Sequence, residues 1–144
     1  MNEILEKNYE LLKKQYYLIE KSLKKLENKM DIISESDLED FEVLCSRYSR
    51  GVDFLIRKVF RSIDLYELEN SGNLIDIVNR AEKRGLIDSV DKIREMKDLR
   101  NFIVYEYVED NLVNVFDLTK EYLKKLLEYM QHTISYLEKL KDEK

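Results

Sequence analysis

The scarcity of helix-breaking residues is the strongest constraint on how this chain folds, because its 144 residues contain no proline and only three glycines. Proline removes a helix hydrogen bond and glycine adds backbone freedom, so long helices can run uninterrupted here. Charged residues make up 38% of the chain and are mostly lysine and glutamate, which are good helix formers. We therefore expect a single all-α domain over residues 1–144, an antiparallel bundle of about five helices, two of them long.

Apolar residues recur at helical spacing in five segments of the chain. The first helix is expected from about Asn2 to Met30. A second should begin at Ser36, which forms a capping-box pattern with Glu39, and end near Ser62. A third helix is expected over about Leu74–Arg84, with Asn73 or Ser71 as its cap and Gly85 as its end. A fourth should run from Ser89 or Asp88 through "VDKIREMKDLRNFIVYEY". The last should run from the turn near "VEDN" to about Lys141.

Composition narrows the functional class. The net charge of −5 argues against a generally basic surface for nucleic acid but leaves room for a local basic groove. The single cysteine, Cys45, permits no internal disulfide and has apolar neighbours, which indicates a buried thiol and a reducing, cytoplasmic location. No apolar run approaches the ~20 residues of a membrane span, so we expect no membrane contact.

Few other residues suggest chemistry. The only histidine, His132, falls between polar residues of the last helix and is expected on the surface. The chain has no phosphate-binding loop, no zinc-ligand spacing and no paired Glu/His helix motif, so no metal or cofactor is expected. Five tyrosines beside apolar stripes are expected to pack in the core with wet hydroxyls: Tyr9, Tyr16, Tyr48, Tyr122 and Tyr129.

The segment "MKDLRNFIVYEY", residues 96–107, carries the clearest functional signal. On a helix, Asn101 and Tyr105 share one strip with Arg94 and Lys97, whereas Arg100 lies at the edge of the apolar stripe. Arg94, Lys97, Arg100 and Asn101 together form a patch of donors suited to phosphate, and we take Arg94 and Lys97 as candidate RNA-binding residues. The alternative is an arginine paired with nearby acids and tyrosines in an interface; those acids would be Asp98 or Glu95.

"RNFIVYEY" resembles the Arg-x4-His-x-Tyr motif of HEPN-domain proteins, specifically the HepT-like toxins of MNT–HEPN toxin–antitoxin pairs. Arg100, Asn101 and Tyr107 match the motif, and Tyr105 stands where the histidine belongs. The helical order over about residues 36–140 also follows that family. The resemblance implies a metal-independent endoribonuclease of a type VII-like pair, working as a homodimer with Arg100, Asn101 and position 105 in one shared cleft. It also implies a cognate MNT nucleotidyltransferase antitoxin that adenylylates Tyr107.

The tyrosine at position 105 changes the expected chemistry. Cleavage of RNA through the 2′-hydroxyl needs a proton acceptor, a proton donor and a cation beside the phosphate. Histidine accepts and donates protons near neutral pH, whereas a tyrosine with an ordinary pKa near ~10 is a poor base. We therefore expect a chain that binds RNA but cuts it poorly. Tyr105 is a natural variant, an inactivating change or a site of modification; the sequence leaves these open.

Two non-catalytic functions compete with the ribonuclease. One is a helical partner or substrate-binding subunit of a minimal nucleotidyltransferase, which would bind that enzyme through the same face without cutting RNA. The other is a plain helical scaffold without a ligand, because a fold alone does not fix a function.

Overall fold

The computed structural model describes residues 1–67, 69, 72–106 and 108–143, and all regular structure within them is helical. These residues form six helices, five of them substantial, which confirms the all-α prediction; the short fifth helix was not predicted. The helices are α1 (Glu3–Leu26), α2 (residues 35–66), α3 (Leu74–Lys83), α4 (Val90–Tyr105), α5 (Glu109–Val113) and α6 (Phe116–Asp142).

Helix α2 is continuous but not uniform. It runs as an α-helix over Glu35–Asp53, as a π-helix over Phe54–Phe60, and again as an α-helix over Arg61–Tyr66. A π-helix closes its hydrogen bonds over one more residue than an α-helix does, so this segment is wider than its neighbours. The helix also extends four residues beyond the predicted end at Ser62.

The predicted start of α2 is wrong. The capping box uses Ser34 and Asp37 instead of Ser36 and Glu39, so the helix begins at Glu35. Each serine is followed by an acid three residues later, but only Asp37 also receives the Lys29 ammonium, 2.8 Å from its carboxylate. That tertiary ion pair selects the earlier box.

Other helix ends follow the local sequence more closely. Asn73 caps α3 through a capping box, and Gly85 follows the helix with a φ of 77°, which glycine adopts without strain. Ser89 caps α4, accepting a hydrogen bond from the Lys92 backbone. The other proposed cap, Ser71, lies outside the described residues. Helix α1 ends at Leu26, four residues before the predicted Met30.

The three longest helices pack against one another, with α1 antiparallel to both α2 and α6. The Asn8 amide donates to the Ser62 hydroxyl at 3.1 Å, and Arg47 reaches back to Ser22. The Tyr9 hydroxyl donates to Glu138 of α6 at 3.2 Å. Residues near the start of α1 thus contact residues near the ends of α2 and α6, as the predicted antiparallel bundle requires.

Gly51 lies where these three helices come closest. A Cβ atom at this position would stand 2.9 Å from Ile19 of α1 and 3.1 Å from both Leu126 and Met130 of α6. The absence of a side chain therefore lets α2 approach both neighbours.

The core holds several of the tyrosines that the sequence placed there. Tyr48 and Tyr129 are fully buried and Tyr9 nearly so, whereas Tyr16 and Tyr122 are half-buried. The Tyr48 hydroxyl donates to the Met96 carbonyl at 2.8 Å and thereby joins α2 to α4.

The cysteine and the histidine lie as the sequence indicates. Cys45 is buried, and that burial raises the pKa of its thiol to about 12, so it is a poor nucleophile. His132 is exposed on α6. No helix in the described ranges is long and apolar enough to cross a membrane.

A buried ionic cluster joins the end of α2 to α3. The Asp64 carboxylate is fully buried and accepts hydrogen bonds from Arg80 at 2.9 and 3.0 Å and from Arg84. Arg84 also contacts Glu67 at 3.0 Å, and Glu67 accepts a hydrogen bond from the Tyr136 hydroxyl of α6. We call Asp64, Glu67, Arg80, Arg84 and Tyr136 the Asp64 cluster. Its contacts join α2, α3 and α6.

Candidate functional site

The motif arginine is held by an acid from a different helix. Arg100 lies in the last two turns of α4, and its Nε and Nη2 atoms donate to one oxygen of Asp53 at 3.1 and 2.7 Å. Arg100 is therefore ion-paired, as the alternative interpretation expected, but its partner is Asp53 and not Asp98 or Glu95. Both side chains stay accessible, with 23% of Arg100 and 37% of Asp53 exposed, so solvent or a ligand can reach the guanidinium.

Asn101 and Tyr105 lie next to Arg100, as a shared site requires. The Nη1 atom of Arg100 donates to the Asn101 side-chain oxygen at 3.2 Å. The guanidinium carbon lies 5.9 Å from the centre of the Tyr105 ring, a cation–π distance. Tyr105 itself is 74% exposed. The structure thus brings three of the four motif residues together on an open surface; Tyr107, the predicted modification site, lies outside the described residues.

Two more cations belong to this cluster. Lys97 lies one turn before Arg100, and burial together with the nearby Arg57 lowers the pKa of its ammonium. The charge of Arg57 on α2 adds to this effect, because a like charge disfavours protonation. We call Asp53, Arg57, Lys97 and Arg100 the Arg100 cluster: the Arg100–Asp53 ion pair and two further cations whose charges act on the same region.

Sequence reasoning missed Asp53 and Arg57. Both occur in "SRYSRGVDFLIRKVF", and nothing in the spacing of that segment indicates that Asp53 contacts α4 or that the charge of Arg57 acts on Lys97. Their position depends on how α2 packs against α4. The available signal was a single acid, Asp53, in a segment with four basic residues.

A shallow groove continues from the cluster between α4 and α3. Its α4 side includes Arg94, Lys97 and Asn101, three of the four residues predicted to share one strip, together with the acid Asp98; Tyr105 does not line it. The opposite wall is apolar and formed by Leu74, Ile75 and Val78. Arg94 is mostly exposed and contacts Asp91 at 3.4 Å, so it lies at the open end of the groove.

The end of α4 also presents apolar side chains to solvent. Val104 is 42% exposed, Val108 is 56% exposed and Tyr105 is 74% exposed, all within five residues of the chain. Apolar groups gathered beside polar donors are typical of an interface with another molecule.

The cluster can bind an anion and donate hydrogen bonds to it. Its guanidinium and ammonium groups match the charge and geometry of phosphate oxygens. The Tyr105 hydroxyl can donate a hydrogen bond. Within the described residues, no three His, Cys, Asp or Glu side chains gather as metal ligands would.

Comparisons with protein families, with curated proteins and with solved structures find no match for this chain.

Proposed function

We propose that the chain is a HEPN-type ribonuclease toxin that binds the RNA backbone at the Arg100 cluster and cuts poorly because Tyr105 occupies the histidine position. The observation that carries the proposal is the accessible Arg100 guanidinium, which is held by Asp53, bonded to Asn101 and adjacent to the Tyr105 ring, with Lys97 one turn earlier on the same helix. This arrangement supports phosphate binding in an otherwise acidic chain.

The chemistry follows from what each group can do. In metal-independent cleavage, the 2′-hydroxyl loses its proton and attacks the adjacent phosphorus, while the 5′-oxygen leaves with a proton, which yields a 2′,3′-cyclic phosphate and a 5′-hydroxyl. Arg100 would stabilise the charge on the phosphate oxygens, and Asn101 would orient a neighbouring group. A phenol at position 105 donates a hydrogen bond but accepts the first proton poorly.

The proposal includes a homodimer and a nucleotidyltransferase partner. One chain leaves the Arg100 cluster open to solvent, and the exposed Val104, Tyr105 and Val108 give that face the apolar content of an interface. A twofold partner would bring a second motif segment to the same cleft. Tyr107 would be the residue that the antitoxin adenylylates, a role carried over from its position in the motif.

A second candidate function is a non-catalytic subunit that binds a minimal nucleotidyltransferase. The same exposed apolar side chains at the end of α4 favour it, because a protein-binding face does not require proton transfer. In this case the residue at position 105 contributes contact area instead of chemistry.

The deciding experiment compares the chain with its Tyr105→His variant on a 5′-labelled RNA in the presence of a chelator. We expect the variant to release products with a 2′,3′-cyclic phosphate, and the Tyr105→His/Arg100→Ala double variant to release none. Tyr17→His, at a tyrosine 55% exposed on α1, is the matched control and should not cut. Arg50→Ala is the matched control for the lost arginine.

The outcomes separate the two candidates. Cleavage by Tyr105→His alone supports the ribonuclease. If it does not cut and the chain binds RNA no better than Arg100→Ala does, the ribonuclease proposal is wrong. Tight binding of a nucleotidyltransferase by both position-105 versions, without cleavage, supports the subunit.

A further inference from the structure

A second open surface lies on the side of α2 that faces α1. The first half of α1 and the last part of α2 run antiparallel here, joined by the Asn8 amide, which donates to the Ser62 hydroxyl at 3.1 Å. The resulting groove encloses about 730 Å³. We call it the α1/α2 groove.

The centre of this groove is apolar. Its apolar side chains are Ile4 and Leu11 of α1 and Phe54 and Leu65 of α2. Ile4 is 66% exposed and Leu65 is 57% exposed, although each lies on a helix with a well-buried opposite face. Leaving such side chains in water forgoes the ~25 cal/mol per Å² gained on burial, so a contiguous exposed group of them indicates a contact surface.

The edges of the groove are basic. Lys7, Arg57, Lys58 and Arg61 line it, and no acid among the described residues does. None of the four forms an ion pair of 4.0 Å or less with another described residue, whereas cations elsewhere in the chain commonly do: Lys13, Lys24, Lys29 and Lys125 each contact an acid. In a chain of net charge −5, this local excess of positive charge makes the groove complementary to a negatively charged partner.

The dimensions fit a short helix. Ile4 and Leu11 are seven residues apart on α1, which corresponds to about 10 Å, or two turns of an α-helix. A helix in a groove binds through apolar side chains at i, i+3 or i+4, and i+7, with its flanks near the groove edges. A helix that fits this groove would place apolar residues against its centre and acidic residues against both basic edges. Such a helix is acidic and amphipathic.

We propose that the α1/α2 groove binds an acidic amphipathic helix of a partner protein. A second copy of this chain bound through a twofold axis would place the four cations against four like charges, so the groove is not a self-association surface. An RNA backbone would satisfy the cations but leave Ile4, Leu11 and Leu65 exposed. Arg57 belongs to both surfaces, but the inference does not depend on the ribonuclease proposal, because its other residues and its arguments lie outside the motif.

The test uses the full chain and three fluorescent probes: an 18-residue helical peptide with leucines on one face and glutamates on its flanks, the same peptide with lysines for glutamates, and a single-stranded RNA of similar length. Fluorescence anisotropy measures each dissociation constant. We expect the glutamate peptide to bind at least tenfold tighter than the lysine peptide. Leu65→Asp should weaken that binding about tenfold or more.

Charge reversal gives a sharper result. The Lys58→Glu/Arg61→Glu variant, which leaves the Arg100 cluster intact, should lose the glutamate peptide and gain the lysine peptide. The matched control is Lys24→Glu/Lys139→Glu, which reverses two exposed charges away from the groove and should change either affinity less than twofold. Circular dichroism confirms that each variant is folded.

Three outcomes would overturn the proposal. The first is equal affinity for the two peptides, the second is no binding of the glutamate peptide at 1 mM, and the third is RNA binding lost in Leu65→Asp while neither peptide binds. The last result would make the groove an RNA surface. If the charge-reversal variant binds the lysine peptide more tightly than the glutamate peptide, the proposal of an acidic amphipathic helix is supported.

Discussion

The Asp64 cluster and the Arg100 cluster are made of the same groups and lie eleven residues apart on α2, yet they differ in burial and in charge balance. Asp64 is fully buried and two arginines converge on it, with Glu67 adding a second acid. Asp53 is 37% exposed and meets one arginine, with Lys97 and Arg57 beside it. Enclosed and balanced charges stabilise a fold, whereas accessible charges in excess are available to a ligand.

The largest effect should come from removing the buried acid. Asp64→Ala leaves two arginine side chains converging on an empty site, so we expect the free energy of unfolding to fall by about 3–5 kcal/mol. Asp53→Ala breaks an accessible pair and should cost less than about 1 kcal/mol. Urea denaturation followed by circular dichroism measures both. Equal losses would mean that the two clusters do not differ as described.

Ligand binding should show the opposite pattern. If the Arg100 cluster binds RNA as proposed, Arg100→Ala weakens binding of a short oligoribonucleotide about tenfold, since a charge-assisted hydrogen bond is worth ~1.5 kcal/mol or more. Its stability should change little. Asp53→Asn removes a negative charge but keeps the guanidinium, so affinity should rise. An unchanged affinity in both variants would exclude the Arg100 cluster as the binding site.

Alkaline pH should destabilise the region of the Asp64 cluster through Tyr136. Burial and the hydrogen bond to Glu67 raise the pKa of Tyr136 to about 12, above the ~10 of an unfolded chain. The folded state therefore holds this proton longer, and its contribution to stability is complete below pH 10 and lost as the pH rises to about 12.

Tyr136→Phe should remove that part of the loss, so the stability of the variant falls less between pH 10 and 12. Tyr48 and Tyr129, whose pKa values burial also raises, keep the remaining slope in both proteins. Tyr17→Phe, at an exposed tyrosine, is the control. Denaturation curves collected at half-unit steps of pH give the free energy of unfolding at each pH. An identical dependence on pH for Tyr136→Phe and the unaltered chain would contradict the role of Tyr136.

The smallest effect should come from Lys97. Burial and Arg57 lower the pKa of its ammonium, so the charged side chain is held in an unfavourable environment. Lys97→Met keeps the apolar stem and removes the charge, which should raise the Tm by about 1–2 °C. Lys139→Met is the exposed control. A fall in Tm would show that Lys97 stabilises the fold and is not strained by its neighbours.

The parts of the structure that depend on one helix at a time could be predicted from the sequence. Helical periodicity placed all five substantial helices, Asn73 and Ser89 were recognised as caps, and the common strip of Arg94, Lys97 and Asn101 followed from the 100° rotation per residue. Each of these is set by local hydrogen bonding or by the position of a residue on its own helix.

What depends on two helices could not be predicted in this way. The choice between the Ser34 and Ser36 boxes was made by Lys29, which approaches from the end of α1. The partner of Arg100 came from 47 residues earlier in the chain. Spacing within one segment does not encode how that segment packs against another, so it could not predict that Asp53 pairs with Arg100.

The π-helical segment of α2 has a consequence for how the chain tolerates changes in length. A π-helix over Phe54–Phe60 contains one residue more than an α-helix needs to join the same two ends. Loss of one residue there can be absorbed by a return to α-helical geometry, which leaves Asp53 facing α4 and Asp64 facing α3. The same deletion within Glu35–Asp53 has no surplus residue to absorb it, and would turn one part of the helix by about 100° relative to the other. The helix thus has a single place where its length can vary without separating its two acids from their arginines.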